Sequence, residues 1–214
     1  MSPRLRAAAD GLRLVLVRHG QTPSNVRGLL DTLPPGPGLT DHGARQADDL
    51  AERLATEKVL SIHASRALRA QQTALPTATR HGLELGVLDG THEIFVGELE
   101  GRGDAEARAL FDEIYAGWHH GEADRPMPGG ETGNEALARF FDSARPLLQD
   151  VATGSVVLVS HGAMLRLAAA RLCPEIGPRR TTEAYLPNTG AITLEADSAS
   201  PTGWRCARWD DLPD

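Results

Sequence analysis

The sequence predicts an α/β three-layer sandwich, a mostly parallel central sheet with helices on both faces. Short apolar runs alternate with amphipathic helical patterns along the chain, an order that packs as βαβ units around a parallel sheet. Several of the apolar runs end abruptly in ionisable residues. The 214 residues fit one large domain, since domains run to roughly 100 to 250 residues. No internal repeat, low-complexity tract or linker divides them, so residues 11–214 are expected to form one domain behind a loose leader over 1–10.

The elements follow in order. Residues 12–17 read as a first strand, apolar and partly β-branched, that stops at Arg18-His19-Gly20. Residues 21–39 carry Pro23, Pro34, Pro35 and Pro37 with Gly28, Gly36 and Gly38, the mark of a wide surface loop, and loops of that length are often functional. A helix follows, with Thr40 or Asp41 as N-cap and Ala44, Ala47, Leu50, Ala51 and Leu54 on one face. Residues 59–64 form the next strand, ending in Ser65-Arg66, and 67–80 a helix interrupted near Pro76. A strand is expected over 84–88 and a helix over 105–120, whose stripe of Leu110, Phe111, Ile114, Tyr115 and Trp118 reads as core rather than as a cofactor box. Then come a loop at 126–130, a helix over 131–149, an apolar strand over 155–160 ending in His161-Gly162, a helix over 163–172, and a last strand at 191–194 before a polar tail.

Composition excludes several classes. With 41% hydrophobic and 24% charged residues the chain reads as a soluble globule. A formal charge of -7 gives no basic footprint for nucleic acid. No apolar run approaches the roughly 20 residues that span a bilayer, so no membrane partner is expected. Arg4, Arg6 and three alanines are followed by Asp10 and Arg13 before an h-region of about 7 to 15 apolar residues can form, so no signal peptide is expected. Cys173 and Cys206 show no CxxC pairing, which argues against zinc or a disulfide framework; Cys173 is expected to be a small buried hydrophobe. The expected location is the cytoplasm.

Ligands of open α/β sheets bind beyond the carboxyl ends of the strands. Arg18-His19 follow the first strand, Ser65 to Arg69 the second, and His161 the strand at 155–160. This is the local positive cluster that an acidic protein needs to hold a phosphate. Arginine offers a planar fork to phosphoryl oxygens, imidazole can form a covalent intermediate, and a carboxylic acid can protonate a leaving alkoxide.

The residues also carry a resemblance. Leu16-Val17-Arg18-His19-Gly20-Gln21-Thr22-Pro23-Ser24-Asn25 resembles the RHG signature of the histidine phosphatase superfamily, also called the phosphoglycerate mutase-like family. Ser65-Arg66-Ala67-Leu68-Arg69-Ala70-Gln71-Gln72-Thr73-Ala74 is similar to its S-x-x-x-R-A-x-x-T-A segment, Glu93 with Gly97, Glu100 and Gly101 to its E-x-x-x-G-x-x-E-G segment, and Val159-Ser160-His161-Gly162 to its second histidine motif. The resemblance implies a phosphoglycerate mutase-like fold and a reaction that needs neither metal nor cofactor. It implies His19 as nucleophile, Arg18 and Arg69 as phosphoryl clamps, His161 beside the transferred group, and Glu93 as proton donor and later as base. Thr22, Asn25 and Gly162 fall where the family places further phosphate contacts. Leu99 stands where the family usually has an aromatic residue.

Alternatives remain. Arg66 competes with Arg69, although the spacing from Ser65 favours Arg69; Glu98 and Glu100 compete with Glu93. His63, His81 and His92 read as surface or satisfied histidines, and adjacent His119 and His120 diverge by about 100° on a helix and make poor shared metal ligands. Pro128-Gly129-Gly130-Glu131 is either a turn or the family's P-G-G-E segment, and Asn188-Thr189 either turn chemistry or part of the pocket. The prolines of Asp31-Thr32-Leu33-Pro34-Pro35 are expected to stiffen the loop and shape substrate choice.

His19 is expected at a solvent-facing strand end, kept neutral by the surrounding positive charge. Residues 102–128 hold only Arg102, Arg108 and Arg125 among many acids, so a second anion site looks unmet. This favours a phosphatase for a small phosphate ester over a cofactor-dependent phosphoglycerate mutase or a non-catalytic binding module. Homodimerisation is left open.

Overall fold

Alternate residues of the first strand, β1 (Leu12–Arg18), are buried against opposite faces of a sheet in the computed structural model, which describes residues 11–149, 151 and 153–210. The leader expected over 1–10 lies outside the described residues. Leu12, Leu14 and Leu16 point to one side and Val15 and Val17 to the other. A period of two with both faces apolar requires a layer on each side.

The helices that supply those layers are α1 (Pro23–Arg27), α2 (Asp41–Arg53), α3 (Leu68–His81), α4 (Ala105–His119), α5 (Gly133–Ala144), α6 (Gly162–Leu172) and α7 (Gly177–Glu183). The remaining strands are β2 (Val59–Ser65), β3 (Leu85–Leu88), β4 (Gly154–Ser160), β5 (Ala191–Ala196) and β6 (Trp204–Trp209). Among the described residues the sheet order is β3-β2-β4-β1-β5-β6. The pairs β1 with β4, β4 with β2, and β2 with β3 are parallel, whereas β5 runs antiparallel to β1 and β6 to β5. Helices α2 and α3 cover one face with Leu50, Ala70, Ala74 and Ala78. Helices α4, α5 and α6 cover the other with Ile114, Trp118, Phe140, Phe141 and Leu165. The mostly parallel three-layer architecture is therefore as the alternation of patterns predicts. No helix among the described residues is long and apolar enough to cross a membrane.

Four local readings change. Pro76 does not interrupt α3: the carbonyl its missing N–H frees belongs to exposed Gln72, while Thr73, Ala74, Thr77 and Ala78 pack inward and hold the helix. The helix expected over 131–149 begins only after Thr132, which forms a capping box with Glu135, and it gives way to a 3-10 turn at Arg145–Leu148, because Pro146 cannot continue the ladder. The loop at 21–39 contains α1, nucleated by Pro23 and the reciprocal Thr22–Asn25 cap. The polar tail contains β6, an edge strand whose buried residues are the tryptophans at its two ends, so no apolar alternation marks it.

One contact places the functional end. The N-terminus of α2 is pressed onto the loop after β1: Thr40 caps the helix through the Gly43 amide, and a Cβ at Gly20 would stand 2.7 Å from the Gly43 carbonyl oxygen. A Cβ at Gly43 would collide with the backbone of Gln21. Gly43→Ala should therefore cost about 1–3 kcal/mol by overpacking, read as a lowered urea midpoint at constant slope.

Candidate active site

Residues 18 and 19 close the central strand, and the structure buries both. His19 is 5% exposed, not solvent-facing, because its amide joins the Ser160 carbonyl at 3.0 Å and Asn188 donates from Nδ2 to its carbonyl at 2.9 Å. The Gly20 amide bonds Thr73 Oγ1, which in turn donates to the Arg69 carbonyl. His19 Nδ1 lies 2.7 Å from the Gly20 carbonyl. A carbonyl only accepts, so this partner assigns the ring proton to Nδ1 and leaves the Nε2 lone pair free. Burial, and then the charges of Arg18 and Arg69, lower the His19 pKa well below 6.5. The expected neutrality is present, with desolvation as its first cause.

His161 packs edge-on against His19, with ring centroids 5.2 Å apart. Its Nε2 meets Ser65 Oγ at 2.7 Å, while the Ala67 amide donates to the same hydroxyl. Ser65 thus donates to Nε2, and Nδ1 carries the proton. That Nδ1 is buried without a hydrogen-bond partner, as are Arg18 Nε and Arg69 Nη1. Burial is again the first cause of a His161 pKa well below 6.5, followed by Arg69. Three orphaned buried groups thus lie close to His19, and an unmet buried donor costs about 1–3 kcal/mol unless a ligand accepts from it.

Arg18, His19, Asn25, Glu93, His161 and Gly162 line one cavity of about 160 Å³. Arg18 is fixed by Nη1 donating to the Leu186 carbonyl at 2.7 Å and lies over the Tyr185 ring. A side chain at Gly162 would crowd it, with a Cβ 3.3 Å from Arg18 Nε. Arg69, 1% exposed, sits beneath the cavity, donating from Nη2 to the Asp31 carbonyl and 3.8 Å from the Asp31 carboxylate. Glu93 accepts from the amides of Ala163 and Met164 at 3.1 and 2.9 Å. It thereby caps α6, whose N-cap His161 makes no side-chain cap bond.

The model of the histidine phosphatase superfamily (branch 1) matches residues 14–212. The chain belongs to this superfamily. It is 32% identical over 212 residues to PE-PGRS family protein PE_PGRS11 of Mycobacterium tuberculosis, covering 92% of this chain and 36% of that protein, so it spans little more than a third of that relative's length. It is 34% identical over 197 residues to a 2,3-bisphosphoglycerate-dependent phosphoglycerate mutase of Nitrobacter winogradskyi, covering 88% of this chain and 93% of the other. A solved mycobacterial glucosyl-3-phosphoglycerate phosphatase complexed with VO3 matches with a TM-score of 0.76 at 26% identity, over 94% of this chain and 99% of that one. The protein is thus an enzyme of the histidine phosphatase type with the phosphoglycerate mutase-like fold.

Within this histidine phosphatase the competing candidates separate. Arg66 is half exposed and points to Asp89. Glu100 is occupied by the amide and hydroxyl of Thr32, and Glu98 does not line the cavity. Thr22 does not line it either; its hydroxyl is used in the α1 cap and holds Asn25, which does. In the 28–39 loop the Pro35 carbonyl accepts from the Leu68 amide of α3, and the loop's contribution to the cavity wall comes from Leu29, Leu30, Asp31 and Thr32 rather than from its prolines. Phe111, read as core, lines the cavity. His81 and His92 bond main-chain carbonyls, whereas His63 Nδ1 is buried without a partner, contrary to the satisfied histidine expected. Cys173 is fully buried, which pushes its thiol pKa up. No three His, Cys, Asp or Glu among the described residues group as metal ligands.

Three supports take their roles only from the fold. Asn188 ties the His19 carbonyl to Asn25 Oδ1, resolving the turn-or-pocket question as a bracket behind the pocket. Glu131 accepts from the Phe95 amide and pairs with Arg139 at 2.5 Å. Arg139 donates to the carbonyls of Gly90, His92 and Glu93. The P-G-G-E segment therefore clamps the stretch that carries Glu93. The third, Arg166, lies five residues after His161; the signal was an arginine inside the apolar run of 163–168.

Arg139→Met should strand three carbonyls, destabilise by about 1–3 kcal/mol and lower kcat more than it raises KM, because Glu93 loses its placement; urea titration and steady-state kinetics check both parts. Stability should also fall with acidification. The folded-state pKa of His19 and of His161 lies below the unfolded 6.5, so below pH 6.5 the unfolded chain binds more protons, and folding loses free energy until the folded histidines titrate. The stability of His161→Gln should depend less on pH between 7 and 5 than that of wild type, measured by urea unfolding at both pH values.

Proposed function

We propose that the protein is a metal-independent phosphomonoester hydrolase acting on a small phosphorylated metabolite through a phosphohistidine at His19. The observation that carries this reading is the free Nε2 of His19 amid three unpartnered donors, Arg18 Nε, Arg69 Nη1 and His161 Nδ1. A phosphoryl group placed there offers its equatorial oxygens to the donors and its phosphorus to the lone pair.

In the first half-reaction Nε2 bonds to phosphorus as the ester P–O bond breaks, and Glu93 gives its proton to the leaving alkoxide. Glu93, now a carboxylate, takes a proton from water. The hydroxide bonds to phosphorus, the P–N bond breaks, and phosphate and neutral His19 are released. The cationic donors offset the charge on the equatorial oxygens in both steps, which is why no metal is assigned. The mutase relative supports a second reading, in which phospho-His19 returns the group to another hydroxyl. Against it, Arg102 is paired with Asp104 and Glu106, and Arg125 with Glu113.

Phosphate release from p-nitrophenyl phosphate and a panel of phosphomonoesters should persist in EDTA and vanish in His19→Ala. Glu93→Gln, which keeps the shape of the cap, should lower kcat about 10²- to 10⁴-fold on esters with poor leaving groups, and less with p-nitrophenyl phosphate. A tenth of wild-type activity in His19→Ala would exclude the covalent step. Isomerisation of phosphoglycerate without phosphate release would instead establish the mutase.

A further inference from the structure

Thr189 is the one non-glycine residue with a positive φ among the described residues, at 57°. A β-branched side chain crowds the left-handed backbone, so the conformation is strained where threonine adopts it. It occurs in the turn from Pro187 to Gly190, closed by the Gly190 amide on the Pro187 carbonyl at 2.9 Å. A positive φ at the third residue alone is the mark of a type II turn, which favours glycine or asparagine there. The chain has neither at 189 and buries the threonine it has.

This turn grips the end of β1 from behind. The Thr189 amide donates to the Arg18 carbonyl at 3.0 Å and to that of His19 at 3.4 Å, while the Arg18 amide donates to the Gly190 carbonyl at 3.0 Å. If φ of Thr189 relaxed to negative values, its amide would turn away from both carbonyls, and the backbone under His19 would lose one side of its support. Two hydrogen bonds oppose that relaxation. Thr189 Oγ1 donates to the Asn188 carbonyl at 2.7 Å, a bond internal to the turn. The other comes from outside: Arg53, in the last turn of α2, donates from Nη2 to the Thr189 carbonyl at 2.6 Å. Arg53 also lies 3.8 Å from the Asp210 carboxylate, whose Oδ2 accepts from the Ala191 amide at the start of β5. Neither Arg53 nor Thr189 lines the reaction cavity. Arg53 instead lines a different cavity of about 340 Å³ with Leu50, Ala191 and Asp210, so an effect of Arg53 on turnover passes through the backbone and not through contact with substrate.

We infer that Arg53 is a positioning residue for Arg18 and His19: it holds the turn at Thr189 in its left-handed form, and the turn holds the backbone that carries both side chains. A charge-assisted bond to a carbonyl is stronger than a neutral one, which suits a contact that has to oppose strain. The strained turn is kept in place by a side chain on α2, so the helix layer on that face and the start of β5 are both referred to the strand end that presents His19.

A double-mutant cycle tests this. Asparagine tolerates the left-handed region, so Thr189→Asn removes the strain that Arg53 opposes. Arg53→Met should lower kcat for p-nitrophenyl phosphate about ten- to a hundredfold with KM little changed. Arg53→Lys, which keeps a donor, should lose less, and in the Thr189→Asn background Arg53→Met should cost no more than a few-fold. A merely structural arginine would cost the same in both backgrounds; that result would overturn the inference, as would wild-type kcat in Arg53→Met. The kinetic readout rests on the phosphatase reading, but a second readout does not. The Nδ1–H of His19, bonded to the Gly20 carbonyl, gives a ring proton–nitrogen NMR signal that is identified by its absence from His19→Gln. This signal should weaken by exchange with water in Arg53→Met and return in the Arg53→Met, Thr189→Asn double variant. Hydrolysis of no ester by wild type would remove the phosphatase and leave the ring signal to decide, and a signal unchanged in Arg53→Met would then overturn the positioning role. Arg53→Gln takes the place of Arg53→Met throughout if urea unfolding shows that the methionine variant does not fold.

Discussion

Positive charge buried without full compensation is the constraint around which the rest of the site is built. Arg18, Arg69, His19 and His161 are all at most 5% exposed, and Asp31, at 3.8 Å from Arg69, is the nearest carboxylate to pair with either arginine. Burying a charge costs several kcal/mol unless it is paired, and two cost-limiting devices are visible. The imidazoles stay neutral, their pKa values driven down by burial and by the arginines themselves. The guanidinium groups are held by carbonyl dipoles, Leu186 for Arg18 and Asp31 for Arg69, which orient them but leave their charge in place. The remaining deficit is what a phosphate dianion would relieve, so binding strength and selectivity for phosphate have the same origin.

Such a cradle works only if its members cannot relax toward one another. The first restraint is covalent geometry: Arg18 and His19 end the central strand, and hydrogen bonds from neighbouring segments hold the backbone there on both sides. The second is a set of single-purpose side chains, Ser65 on His161, Thr73 on Gly20 and Asn188 on His19. The third is Glu93, whose position is fixed twice, by the α6 amides in front and by the Arg139–Glu131 pair behind. Glu93 and His161 are thus both referred to the same helix N-terminus.

The residues that the fold gathers around His19 were legible because they sit where periodicity breaks. Arg18-His19, Ser65 and His161 each end an apolar run, and a strand end in an α/β sheet is where chemistry collects. Arg69 followed from its spacing to Ser65. The contacts of Asn188, Thr73 and Arg139 were not legible, although the first two stand in segments that the sequence marks, since they join residues far apart in the chain. Arg166 was not singled out, since an arginine in a helix has no partner in sequence to give it meaning. Strand β6 failed for a different reason: an edge strand that buries only Trp204 and Trp209 carries no alternating pattern to read. Pro76 misled because breaking strength was judged without the buried face that opposes it.

In the proposed reaction the same cradle would serve transfer to water or to a second hydroxyl, so the choice would lie in what holds the alcohol after the first transfer. A mutase has to keep that alcohol in place and turn it, which requires several contacts outside the phosphoryl site. Here the nearby arginines of 102–128 are drawn off, Arg102 and Arg125 by acids and Arg108 by the carbonyls of Gly28 and Gly103.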